Sequence, residues 1–130
     1  MKDYGTAWRN LRPTSLTDQI FIKAQRIKSI EEKGTQKVLD DITGEYIGII
    51  NYCIISLIQL ELKDDTRVEL PYEEVEQLYN KYSTQTKQLM EDKNHDYGEA
   101  WRDMRISSLT DLILMKIFRV KQIEDNKGQT

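Results

Sequence analysis

Two short strings carry the residues best able to do chemistry. Lys23-Ala24-Gln25-Arg26 returns later as Lys116-Ile117-Phe118-Arg119. At about 100° per residue, Leu16, Ile20, Ile27 and Ile30 form an apolar helical stripe with Lys23 in its middle. Leu109, Ile113, Val120 and Ile123 form the same stripe around Lys116. Arg26 and Arg119 stand a turn further on, at the stripe edge. An ammonium group on a buried face needs a partner. Two readings are open: a snorkelling or ion-paired structural lysine, or a cation pair lining an interhelical cleft that receives phosphate.

The carboxylates that could answer these cations lie on the next apolar stretch. Asp41, Glu45, Gly48, Tyr52 and Gln59 share one narrow stripe, and the other faces are mostly Ile, Leu, Val or Cys. Asp41 and Glu45, a turn apart, could share one divalent cation such as Mg²⁺, with water and a substrate phosphate completing its oxygen shell. They could equally neutralise Lys23, or begin a helix where acids favour the dipole.

Other reactive types are less pointed. Tyr4, Trp8, Tyr97 and Trp101 sit in the repeated string DYGxAWR and could stack on a base, with Arg9 or Arg102 reaching a phosphate. They could also anchor the loop, the better expectation for the tryptophans. His95 has no counterpart in the first copy and no Cys/His company, which argues against zinc. Cys53 is expected to be inert core. Asp18 and Asp111 follow Ser15 and Ser108 by three residues, a capping-box spacing.

The elements that position these residues come from a duplication. Residues 3–34 return as 96–127, and roughly half of the aligned positions are identical. Four helices are expected: about Ser15 to Lys33, Lys37 to Leu62, Pro71 to Asn94, and Ser108 to near Gly128. Gly34 ends the first, and Pro71 suits the start of the third. The second is apolar on most sides and should be central. No segment alternates with the period of two that marks a half-buried strand. The first copy lacks a preceding helix and the second a following one, so the chain is expected to be either a piece of a longer duplicated protein or a bundle that closes with a partner chain, the second being favoured. The predicted fold is all-α: an antiparallel four-helix bundle over residues 1–130, forming a homodimer.

Bulk properties bound the function. The chain has 130 residues, a net charge of −3 and a single cysteine. A domain without a global basic field is a poor direct nucleic-acid binder. One cysteine excludes an internal disulfide framework, and no signal peptide is visible, so the default location is cytoplasmic. The apolar run Tyr46–Leu62 contains Asn51, Ser56, Gln59 and Glu61 and is short for a membrane span, which favours a buried helix.

Lys93-Asn94-His95-Asp96-Tyr97-Gly98, the Lys116–Arg119 string and the Asn51-Tyr52 pair together resemble the nucleotide modification associated domain 1 family, a domain of unknown function. That family is distantly similar to MazG-like all-α nucleotide pyrophosphohydrolases, which use clustered carboxylates and magnesium to release pyrophosphate from a nucleoside triphosphate. The resemblance implies phosphate binding by Lys23, Arg26, Lys116 and Arg119, with Asp41 and Glu45 near a metal. The chain departs from the family pattern at Gly48, where an acid is usual, and at Ile22 and Met115, where an acid usually precedes the lysine. The expectation is therefore a nucleotide-binding bundle with magnesium-dependent pyrophosphohydrolase chemistry. The alternative is a non-catalytic dimeric structural or nucleotide-sensing domain that has lost metal-binding acids.

Overall fold

The computed structural model describes residues 5–34 and 38–127. They form α1 (Pro13–Lys33), α2 (Val38–Glu61), α3 (Tyr72–Tyr97) and α4 (Ile106–Asp125), with no strand among the described residues. The all-α expectation therefore holds. Single-turn 3-10 helices at Ala7–Asn10 and Ala100–Asp103 precede α1 and α4.

The repeat is visible in the backbone as well as in the letters. Gly5 and Gly98 both take positive φ, +58° and +67°. Each is followed by a 3-10 turn and then a long helix, with every corresponding start 93 residues apart. Positive φ is a conformation that glycine adopts without a Cβ clash, which accounts for this letter in both copies.

Helix starts differ from the sequence expectation. Pro13 opens α1, because its ring presets φ and the missing N–H would have no intrahelical partner there. Ser15 is thus already inside the helix, and no Ser15–Asp18 capping box forms. Asp18 instead faces Lys121 at 3.2 Å. The same shift places Ser108 inside α4, whose flanking residue Arg105 makes no side-chain cap. α3 also runs further than expected, to Tyr97, and Gly98 alone stops it.

The chain divides into two compact units: residues 14–53 with 104–130, and residues 1–13 with 54–103. In the first, Ile20, Ala24 and Ile27 of α1 pack with Ile42 and Ile49 of α2 and Leu114 and Ile117 of α4. Phe21 and Phe118 meet edge to face, centroids 5.3 Å apart. In the second, the buried apolar residues are Trp8, Ile54, Ile55, Ile58, Leu70, Val75 and Leu78.

α2 is less enclosed than its composition predicts. Ile47, Ile50, Cys53, Leu57 and Leu60 are exposed. An all-round apolar helix shows no periodic signal for which face is covered, so the sequence pointed to burial where part of the surface is open. Among the described residues, Asp41–Glu61 is long and apolar enough to span a bilayer by length and composition. Glu45, Gly48, Tyr52 and Gln59 of its polar stripe nonetheless face internal contacts, described next.

Candidate functional site

Lys23 reaches out of the apolar stripe of α1 to the polar stripe of α2. Its Nζ lies 3.3 Å from Glu45 Oε2, while Arg26 Nε donates to Glu45 Oε1 at 2.9 Å. One carboxylate thus holds both cations and uses both of its oxygens. The Glu45 and Lys23 side chains are 18% and 27% exposed, and Arg26 is 61% exposed. The cluster is half-buried, open on the arginine side, and carries one net positive charge.

Gly48 makes this arrangement possible. A Cβ placed there would meet Lys23 Cε at 2.9 Å and Nζ at 3.1 Å. The lysine therefore lies against bare backbone, in the space that a side chain at position 48 would need. A further boundary is Tyr52, whose ring centroid is 5.8 Å from Lys23 Nζ, within cation–π range. Glu45, Gly48 and Tyr52 are three members of the polar stripe read from the sequence, and the structure brings them together on Lys23.

The remaining expected residues are placed differently. Asp41 is exposed and makes no ion pair with another described residue. Asp41 and Glu45 therefore do not offer a converging oxygen set, since both Glu45 oxygens are already engaged. No group of three or more His, Cys, Asp or Glu side chains suited to a metal occurs among the described residues. As arranged, the donors do not fit a magnesium ion.

Lys116 and Arg119 are exposed and have no carboxylate partner among the described residues. Arg119 lines an open groove of about 570 Å³ with Gln25, Lys28, Asp111 and Phe118. The two cation pairs, identical in the sequence, thus have different surroundings.

The aromatic pairs diverge in the same way. Trp8 is buried, whereas Trp101 and Tyr97 are exposed. Tyr4 lies outside the described residues. Arg9 does not project outward: it donates to Gln59 Oε1 and to the carbonyls of Asp65 at 2.6 Å and Arg67 at 3.0 Å. Arg102 folds back onto Glu99 at 2.7 Å and stacks over the Trp101 ring at 4.5 Å. Trp101 Nε1 donates to Asn94 at 2.9 Å. Trp8 Nε1 is buried without an acceptor among the described residues.

Two polar features have roles that the sequence reading did not assign. Gln59, buried, donates to the carbonyls of Trp8 at 3.1 Å and Leu11 at 2.9 Å, pinning the first 3-10 turn. Thr17 and Thr110, equivalent in the repeat and both buried, bond to Glu124 and Tyr46 at 2.8 Å each. Their retention in both copies was the available signal. Burial pushes the Tyr46 hydroxyl above its ordinary pKa, and the Glu31 charge adds to this.

The described residues form helices and no strand, and the glycine-led turn before α1 recurs before α4. The sequence pattern of the nucleotide modification associated domain 1 family matches residues 1–60 and 93–130, each stretch holding one copy of the repeat. The chain belongs to this family, a domain of unknown function. No curated protein and no solved structure matches it.

Proposed function

We propose that this chain is a nucleotide-binding helical domain whose Lys23–Arg26 pair takes a phosphate group. The observation that carries the reading is the convergence of two cations on one half-buried carboxylate, leaving a net positive charge at an open edge. Glu45 serves as the resident counter-ion. A phosphate bearing two charges outcompetes one carboxylate for Arg26, whose fork suits bidentate binding. Gly48 leaves room for the lysine to move with it. The family's description, nucleotide modification associated, points in the same direction.

Similarity to MazG-like enzymes would add magnesium-dependent hydrolysis. That chemistry demands that Glu45 release both cations and join Asp41 on a metal, so binding is the reading preferred here. Saturation of Glu45 by Lys23 and Arg26 also favours a second reading, a purely structural ion cluster in a dimeric scaffold.

Calorimetric titration with nucleoside mono- and triphosphates, with and without magnesium, separates them. Nucleotide binding should weaken at least tenfold in Lys23→Ala and Arg26→Ala and tighten in Glu45→Gln. Release of pyrophosphate, followed by anion exchange, would establish the hydrolase. Failure of every nucleotide to bind the parent protein would leave the structural reading.

A further inference from the structure

The ion pair between Asp18 and Lys121 has a counterpart in the repeat. At the spacing of 93 residues, Asp18 corresponds to Asp111 and Lys121 to Lys28. Each pair takes its acid from one copy and its lysine from the other. The first pair is closed: Lys121 Nζ lies 3.2 Å from Asp18 Oδ1 and 4.5 Å from the centre of the Phe21 ring. The second is not. Lys28 and Asp111 make no ion pair with a described residue, although both line the groove of about 570 Å³ formed by α1 and α4. Leu114 stands there in the place of Phe21, so the lysine has no ring to rest on. The aromatic surface of the groove is Phe118, 46% exposed, with the exposed Met115 beside it. Arg119 adds a second cation without a carboxylate partner among the described residues, and Asp111 is the one acid of the lining.

We propose that this groove binds a free α-amino acid with a large apolar side chain. Asp111 takes the ligand's ammonium group, the part that Lys121 plays for Asp18. Arg119, with Lys28, takes the carboxylate, which suits the guanidinium fork. Phe118 and Met115 cover the apolar side chain, and the groove has the volume of a small-molecule site. The mixed signs select the ligand. A phosphate would answer Lys28 and Arg119 but set its own charge against Asp111. A simple amine would answer Asp111 and leave both cations without a partner. A zwitterion answers both, and an apolar side chain uses the exposed ring. Gln25 and Lys28 stand about 200° and 140° round α1 from Lys23, so this groove is separate from the Lys23–Arg26–Glu45 cluster and does not rest on nucleotide binding there.

The test is calorimetric titration of the full chain with L-leucine, L-methionine and L-phenylalanine. Saturable binding of at least one should appear. Its N-acetyl derivative, which lacks the ammonium, and its amide, which lacks the carboxylate, should each bind about tenfold more weakly. Asp111→Asn and Arg119→Gln should each weaken the amino acid by about tenfold, whereas Asp18→Asn, the matching change at the closed pair, should leave its binding unchanged. All three positions are exposed, and circular dichroism checks that the variants keep the fold. No saturable binding of any of the three amino acids would overturn the proposal. So would equal binding of the N-acetyl derivative, or binding indifferent to Asp111→Asn. A nucleoside monophosphate that bound with loss in Arg119→Gln but none in Asp111→Asn would assign the groove to phosphate and overturn it as well.

Discussion

Removing Glu45 tests how much of the cluster is structural. At an effective dielectric near 20, two unit charges 3.3 Å apart attract by about 5 kcal/mol before desolvation. That gross figure is not the stability at stake. Arg26 is largely solvated, so its share is that of a surface pair, about 0.5 kcal/mol. Lys23 and Glu45 lie between the surface and fully buried limits. A buried pair broken on one side costs about 3–5 kcal/mol; their partial hydration reduces this to about 1–2 kcal/mol. Glu45→Ala should therefore cost about 2 kcal/mol in all. Lys23→Met, which fills the stripe with apolar atoms, should cost under about 1 kcal/mol. A double-mutant cycle by urea denaturation should give a Lys23–Glu45 coupling of about 1 kcal/mol. A coupling below about 0.3 kcal/mol would reduce the pair to a surface accident. One above about 3 kcal/mol would mean that the site is dry, and would refute its use as an exchangeable anion site.

Gly48→Ala should gain up to about 1 kcal/mol of helix propensity while pushing the Lys23 tip aside; thermal denaturation should show no net loss, and a loss above about 2 kcal/mol would contradict this. Gln59→Ala strands several buried carbonyls and an Arg9 donor, so it should cost about 2–3 kcal/mol and expose residues near Leu11 to protease. Tyr46 has a raised pKa in the folded chain, so its stabilising effect is complete below pH 10 and is lost as pH rises through the folded value; Tyr46→Phe should flatten the fall in denaturation midpoint above pH 10. Asp65, held to about 2 by Arg67, stabilises above its ordinary 3.8 and loses that effect as pH drops towards 2, so Asp65→Asn should be less acid-sensitive between pH 4 and pH 2.

The central pair was legible because helical periodicity exposes misfits. A lysine inside an isoleucine stripe and a glutamate-glycine-tyrosine row inside an apolar helix are both rare, and each answers the other. Asp41 marks the limit of spacing alone, since four residues place two acids on one side without saying which one a neighbour will claim. The capping serines misled because Pro13 starts the helix two residues earlier. The open face of α2 left no trace in the sequence, since coverage depends on what the other elements reach. Gln59 was only one member of a stripe, and its carbonyl partners lie some fifty residues upstream.

That separation bears on how the chain is made. Gln59 receives Trp8 across 51 positions, and closing such a loop costs about 3.5 kcal/mol of chain entropy. At ribosomal speeds of roughly 5–20 residues per second, the DYGxAWR turn emerges several seconds before the glutamine that fastens it. For that interval the Trp8 indole has no home in the nascent chain. Its burial therefore waits on residues translated some fifty positions later.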